Sequence, residues 1–380
     1  MSVSTAWSDV ALPEAADFLD SQRRPVKVGD RAKMQGNVPY YGASGVVDYV
    51  NTHLFDEDLI LLGEDGENIL SRVVPLAFKI TGRSWVNNHA HVLRPKPDFD
   101  IDFLTAYLES LDYSGLNTGT AQPKLNKHSC SMIRVVKPSL PEQRRIASVL
   151  SGADDLIVAL ERKIAKQQAT KRAMMQQLLT GETRLPGFTN PWSDASLGSV
   201  ATVTMGQSPV GSSYNTAGRG VPLVQGNSDI KRRRTTDRLW TTQPTKRCRA
   251  GDVVLTVRAP VGYTALATRD ACLGRGVCSV TAKSDNRFLF HALVYAEPRW
   301  TIFEQGSTFT AVNSTEVRSF LVPWPSDMDE RSAIALVLED ADAEIRRLQD
   351  RLVKAQQIKL GMIQELLTGR TRLSVTERSA

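Results

Sequence analysis

One long helical segment occurs twice in this chain. Residues Ile146 to Leu185, ending LLTGETRL, align with Ile334 to Leu373, ending LLTGRTRL, at a constant offset of 188 without a gap, and about half of the positions are identical. A repeat of this length within 380 residues makes the protein two similar halves in tandem. The length is too great for one ordinary core and suits two or three domains.

Both copies carry a heptad seam. In the first, Ile146, Leu150, Ala153, Ile157, Leu160, Ile164, Gln167, Lys171, Met174 and Leu178 follow steps of four and three; in the second, Ile334, Leu338, Ala341, Ile345, Leu348, Leu352, Ala355, Lys359, Met362 and Leu366 do the same. Mostly apolar seams sustained over more than four heptads without proline predict a coiled coil, and Gly181 and Gly369 are natural stops. The equivalent lysines Lys171 and Lys359 cost stability but can fix register, because a mispaired lysine would be buried without an anion. Two coils in one chain most simply pair with each other rather than across separate chains. Either direction is topologically possible, and antiparallel pairing would relate the globular segments by a pseudo-twofold axis. At ~1.5 Å per residue the seam spans roughly 50 Å.

The segments outside the helices echo each other more faintly. Trp7-Ser8-Asp9 opens the first half and Trp192-Ser193-Asp194 the second. Each half then runs through glycine-rich turns and short strands such as Leu59 to Leu62 and Val253 to Val257, with one helix each, at Ile101 to Leu111 and Arg287 to Tyr295. An asparagine loop, at Asn126 or Asn313, precedes a strand, at Ile133 to Val136 or Phe320 to Val322, and a proline-containing approach to the long helix. This pattern predicts α+β domains. Similar scaffolds with different loops imply similar tasks on different targets.

Charge is unevenly placed. Residues 1–139 carry 14 basic and 17 acidic side chains, net −3, and residues 186–325 carry 16 and 9, net +7. A basic domain suits a polyanion. The loops hold residue types that read nucleic acid, since arginine suits guanine, asparagine and glutamine suit adenine, and lysine holds phosphate. In the first half these are Gln35, Asn37, Tyr40, Tyr41 and Ser44; Arg83, Trp85, Asn87 and Asn88; and Lys124, Asn126 and Lys127. In the second they are Gln207, Ser208, Gln225, Asn227, the run Lys231-Arg232-Arg233-Arg234, Arg258, Arg275, Ser307, Thr308 and Asn313. Four adjacent cations need a counter-charge, which makes that run the foremost candidate. The negative first domain must cluster its cations on one face or draw affinity from partners.

Other classes find less support. The chain has no Walker A loop, no Asn/Asp-Pro-Pro-Tyr/Phe tetrad for amino-methyl transfer and no glycine-rich cofactor loop after a strand. His89 and His91 resemble a metal pair without a third ligand, so no metal is expected. Cys130, Cys248, Cys272 and Cys278 read as reduced structural thiols. Glu182-Thr183-Arg184 and Arg370-Thr371-Arg372 read as polar helix exits. No apolar run approaches the roughly 20 residues of a membrane helix, and MSVSTAWSDV has no signal-peptide pattern, so a cytoplasmic location and no membrane partner are expected.

Two globular domains, each followed by a long helix ending LLTGxTRL, with Leu140-Pro141-Glu142-Gln143 opening the first, resemble the specificity subunits of type I restriction-modification enzymes. The resemblance covers nearly the whole chain. Its most specific parts are PSLPEQRRIASVL (Pro138 to Leu150), the two exits, PYYGASG (Pro39 to Gly45) and GDVVLTVRAPVG (Gly251 to Gly262). The second helix opens differently, with Met328-Asp329-Glu330-Arg331 in place of LPEQ, which calls into question the equivalence of two partner sites.

The resemblance implies an α+β fold with two α/β target-recognition domains, 1–139 and 186–325, in a tandem pseudo-twofold repeat. Their helices, 140–185 and 326–373, would form an antiparallel coiled coil, with a tail at 374–380. It also implies a DNA-reading subunit without catalytic residues, which recognises a split double-stranded site with a fixed spacer and docks two methyltransferase subunits, with room for restriction subunits. S-adenosylmethionine, ATP and Mg would belong to those partners, and no cofactor to this chain. The competing reading is a coiled-coil scaffold whose domains bind protein or carbohydrate. A third, a self-sufficient methyltransferase, is disfavoured by the missing motifs.

Overall fold

The computed structural model describes residues 7–119, 122–303 and 311–373. The chain forms two compact units, Met1–Glu161 with Asp350–Ala380, and Arg162–Gln349. The divisions fall inside two long helices rather than between domain and helix. Four helices organise the units: α1 (Ile101–Ser110), α2 (Leu140–Leu179), α3 (Asn286–Ala296) and α4 (Met328–Leu366). Each unit therefore contains one globular domain, part of α2 and part of α4.

In the first unit a four-stranded antiparallel sheet runs in the order Ala16–Phe18, Ala90–Pro95, Leu59–Gly63, Ala77–Ile80. The strand Leu59–Gly63 is buried along its whole length. Its alternation explains why: Ile60 and Leu62 join a core with Leu104 and Leu108 of α1, and Leu59 and Leu61 join another with Phe55, Val86 and Val92. Burying each such side chain contributes about 1.5–3 kcal/mol. A second sheet has the order Gly45–Val50, Gln35–Gly42, Arg83–Val86, Phe55–Asp56.

The second unit repeats the theme with a larger sheet, ordered Ala201–Met205, Val277–Ala282, Val253–Thr256, Thr264–Leu266, Arg234–Thr235, Ile230–Lys231. Val253 and Leu255 face α3 residues Phe288, Leu289, Ala292 and Leu293, whereas Val254 faces Val224, Cys248 and Leu273. All four cysteines are buried and unpaired. Burial pushes the Cys278 thiol up to about 12, which leaves it unreactive.

Every position of both seams is buried or half-buried, while the off-seam Leu156, Val158, Leu336, Val353, Ile358 and Leu360 are exposed. The heptad assignment thus separates covered from uncovered apolar residues on the same helices. In the first unit Ile146, Leu150 and Leu366 pack with Phe103 of α1; in the second Leu178, Ile334 and Leu338 join the α3 core. The mid-seam residues Leu160, Ile164, Ile345 and Leu348 are buried, and Ile157 and Leu352 are half-buried. Within each unit the helix segments run antiparallel, as the ion pairs along them show. Lys171 Nζ meets Asp342 Oδ1 at 2.6 Å in the second unit, and Lys359 meets the equivalent Asp154 at 2.5 Å in the first. The seam lysines have the anionic partners that a register-fixing role requires.

The helix ends show why the terminal motifs recur. The opening strands Ser8–Ala11 and Trp192–Ser196 pair with Arg134–Lys137 and Leu321–Pro325, the strands that lead into α2 and α4. This pairing brings Trp7 and Trp192 to the helix starts, where their indole N–H groups donate to Glu142 and Glu330 at 3.2 and 3.1 Å. The exit arginines complete the clusters. Arg372 contacts Glu142 through Nε and Nη2, both at 2.7 Å, and Arg184 contacts Glu330 at 2.6 and 2.8 Å. Each guanidinium also stacks over the tryptophan of its unit, at 5.0 and 5.7 Å. Gly181 and Gly369 have φ of +76° and +72°, and an added Cβ would press on Trp192 and Trp7, so both conformation and space favour glycine.

The divergent second helix start preserves this arrangement. Gln143 donates to Asp98 O and Pro138 O, and Arg331 donates to Pro325 O and Ser326 O, so each ties its helix to the chain just before it. Only the Leu-Pro to Met-Asp change lacks a structural counterpart. Removing Arg372 strands a nearly buried carboxylate, and neutralising Glu142 leaves the Trp7 indole and the Arg372 guanidinium without their anion. Glu142→Gln or Arg372→Ala is expected to cost on the order of 2 to 4 kcal/mol. In a urea double-mutant cycle the pair of substitutions should cost less than their sum.

Candidate nucleic-acid interface

The first domain sorts its candidate residues by physical role. Tyr40 and Trp85 are buried and stack at 6.4 Å; the Tyr40 hydroxyl accepts from Val26 N, and Trp85 Nε1 donates to Arg24 O. Asn87 is buried and accepts from His89 N, while Tyr41 is half-buried against Phe78. Asn126 caps the short helix Lys127–Ser131 by accepting from Ser129 N. Lys124 faces Glu64 at 3.4 Å, and Arg83 faces Asp56 at 3.2 Å. Gln35, Asn37, Ser44, Asn88 and Lys127 are exposed, with Lys127 over the Phe18 ring.

Strand register places these residues at two ends of the domain. Parallel pairing of Tyr41 with Val86 puts Ser44 at the same end as Asn87 and Asn88, where Glu64 N donates to His89 O and Leu125 N to Glu64 O. Gln35, Asn37 and Arg83 lie towards the other end of the hairpin. The segment Arg23 to Lys33 crosses that region, anchored by Tyr40 and Trp85, and exposes Arg24, Lys27 and Lys33 beside exposed Tyr49. Of the segment's five cations, Arg23 is paired with Glu64, Arg31 with Asp48 and Lys33 with Asp30, which leaves Arg24 and Lys27 facing outward.

The histidine pair is structural. His89 Nδ1 meets Asp65 at 2.8 Å, and the buried His91 bridges Asp20 at 2.7 Å and Leu125 O at 2.9 Å. Among the described residues no group of three or more His, Cys, Asp or Glu side chains could hold a metal. Burial alone would lower the His91 pKa, but the hydrogen bond and charge of Asp20 hold it up at about 10.

In the second domain Gln207, Ser208, Gln225 and Arg275 come together. Gln207 N donates to Leu273 O, Arg275 N to Ser208 Oγ, and Gly274 N to Val224 O next to Gln225. Exposed Lys246 and Arg247 sit on the strand paired with Ala271–Leu273, and exposed Arg258 follows Val257, whose N–H donates to Gly276 O. Lys246 and Arg247 were not singled out from the sequence because single cations in a short strand carry no pattern. Asn227 is exposed, and Asn313 caps the helix Ser314–Ser319. Ser307 and Thr308 lie outside the described residues.

The cationic run lies elsewhere. It forms the turn between Ile230–Lys231 and Arg234–Thr235, at the opposite edge of the six-stranded sheet from Ala201–Met205, which leads into Gln207. Arg232 and Arg233 have φ of +48° and +60°, the left-handed pair of a tight hairpin. Arg233 is held internally: Nη2 meets Glu297 at 2.8 Å, Nη1 donates to Thr264 O, and the guanidinium covers Tyr263 at 4.8 Å. Burial works against its charge, but Glu297 keeps its pKa raised. Lys231, Arg232 and Arg234 are exposed.

Comparison with known proteins decides the family. The profile of the type I restriction modification DNA specificity domain matches twice, over residues 6–168 and 189–356. The chain belongs to this family. A putative type I restriction enzyme MjaX specificity subunit from Methanocaldococcus jannaschii is 30% identical over 266 residues, covering 66% of this chain and 62% of that protein. A putative type I specificity subunit, S.HindORF215P, from Haemophilus influenzae is 31% identical over 141 residues, covering 37% of this chain and 36% of the relative. The chain thus spans less than two thirds of the length of these relatives. The type I S subunit from M. genitalium has a TM-score of 0.68 at 12% identity, covering 99% of this chain and 98% of its own. A chain from a structure of type I R-M complex assembly and conformational transition has 0.59 at 22%, covering 98% and 100%. These structures establish the shared fold.

Two measurements check this family member's site chemistry. Lys246→Ala and Arg275→Ala should each weaken duplex binding and flatten the log–log salt dependence by about one charge; an unchanged slope would place them off the DNA. Because the His91 pKa is raised from 6.5 to about 10, its stabilisation is complete below 6.5 and is lost as pH rises through about 10. The stability advantage over His91→Gln in thermal melts should therefore shrink between neutral and strongly alkaline pH.

Proposed function

We propose that this chain is the DNA-reading subunit of a type I restriction-modification complex. It recognises a bipartite double-stranded site with a fixed spacer, one half per globular domain, and carries no catalytic group of its own. The observation that supports this most is the duplicated Trp-Glu-Arg cluster. Two domains with unlike loops are attached to the helices by the same contacts, as a holder for two different readers requires. Phosphate contacts from Arg24, Lys27, Lys246 and Arg275 would supply salt-sensitive affinity, and base-edge contacts about 1 to 3 kcal/mol each.

Partner subunits supply the chemistry in this reading. Two methyltransferase subunits bind S-adenosylmethionine, and a restriction subunit, where one joins, uses ATP and Mg. The long helices expose Leu156, Val158, Val353, Ile358 and Leu360 in the first unit and Leu336 in the second, and helix-mediated docking of partner subunits is part of this proposal. The family assignment and this two-reader construction favour DNA over a scaffold for protein or carbohydrate.

Replacing residues 1–135 with the corresponding domain of another family member should change one half of the methylated motif and leave the other half and the spacer intact. Sequencing of modified bases checks this. Changes in both halves would contradict independent readers.

A further inference from the structure

The two units contain equivalent grooves between the globular domain and the helices, and the grooves have opposite charge. In the first unit the groove is about 1150 Å³ and lined by Ser151, Asp154, Lys359, Leu360 and Ile363. At the same offset of 188, the second unit's groove of about 670 Å³ is lined by Glu339, Asp342, Lys171, Arg172 and Met175. The first has three lysine or arginine side chains against five carboxylates. The second has six against three.

The reversal comes from both walls. On the helices Arg172 stands where the first unit has Leu360, and Arg346 where it has Val158. On the domain side the tight turn at Arg232 and Arg233 brings Arg232 and Arg234 to the groove, where the first unit presents Asp100, Asp102 and Glu109. The Arg233–Glu297 pair braces the turn, and Lys171 is engaged by Asp342. Arg172, Arg234 and Arg346 have no ion pair among the described residues.

A second observation lies in the wall itself. His291 of α3 is 1% exposed and lines the groove, yet neither ring nitrogen has a hydrogen-bond partner. Both ring nitrogens are shut off from the groove, so the imidazole forms part of the wall behind the cations. Burial, and then the Lys171 charge, hold its pKa down at about 4. The imidazole is thus neutral at pH 7 and adds no carboxylate-attracting charge of its own to the wall.

We propose that this groove binds a small polyphosphate-bearing anion of about nucleoside-triphosphate size. Arg172, Arg234 and Arg346, exposed and lining the groove, contact the phosphate oxygens. The volume lies within the usual few hundred to about 1,000 Å³ of small-ligand sites. A concave space walled by α3 and by segments of both long helices suits a small anion better than a DNA duplex. The inference is independent of the proposed DNA-reading function.

Isothermal titration of the full chain with tripolyphosphate, ATP and AMP tests it. Saturable binding of both triphosphate-bearing anions is expected, with AMP at least tenfold weaker; tripolyphosphate binding alone identifies inorganic polyphosphate as the source. Arg172→Leu with Arg346→Val installs the side chains of the first unit's groove and should lower affinity at least tenfold. Arg172→Gln, a milder change on an exposed helix face, should lower it severalfold. Absence of saturable binding by either anion overturns the proposal, as does unchanged affinity in folded variants. Displacement of tripolyphosphate by a short duplex, with the same variants losing duplex affinity, would assign these cations to the DNA interface and overturn it too.

Discussion

The glutamate at the start of each long helix is the contact on which the rest of the architecture depends. Glu142 and Glu330 are nearly buried, and each is satisfied by a tryptophan from the opening strand of its own domain and by an arginine from the exit of the other helix. A buried carboxylate is tolerated only with such partners. For Glu142, burial would raise the pKa, but Arg372 and Trp7 hold it below the ordinary carboxylate range. One charge thereby fixes three separate stretches of chain: domain opening, helix start and helix exit.

Two further features follow from this constraint. The antiparallel course of the helix segments in each unit brings a start beside an exit, and the Lys171–Asp342 and Lys359–Asp154 pairs hold the register along the way. The domains can then differ widely in their outer loops. What they retain is a helix packed on a sheet through a central strand and its neighbours, Leu59–Gly63 and Ala77–Ile80 in one unit, Val253–Thr256, Thr264–Leu266 and Val277–Ala282 in the other.

Much of this was legible in the sequence, for identifiable reasons. Heptad steps separated seam from off-seam residues because a helix imposes one period on every turn. The tandem repeat exposed the equivalence of the exits, but the meaning of Arg184 and Arg372 was hidden because their partners lie 146 and 230 residues away. The loop candidates differ in exposure. Tyr40, Trp85 and Asn87 have residue types suited to bases, yet their side chains are buried, and Arg233 is paired with Glu297. Composition cannot distinguish a cation reaching outward from one bracing a turn; only the partner does. Conversely, Lys246 and Arg247 gain significance only when strand pairing sets them beside Arg275.

The family assignment and the paired construction support the proposed reading, in which one chain recognises two short DNA sequences and partner subunits carry out the chemistry. The most direct test is a genome-wide map of modified adenines in cells with and without this gene. The account predicts a two-part motif with a constant unspecified spacer, methylated only when the gene is present. A single uninterrupted motif, or a methylation pattern indifferent to the gene, would contradict it.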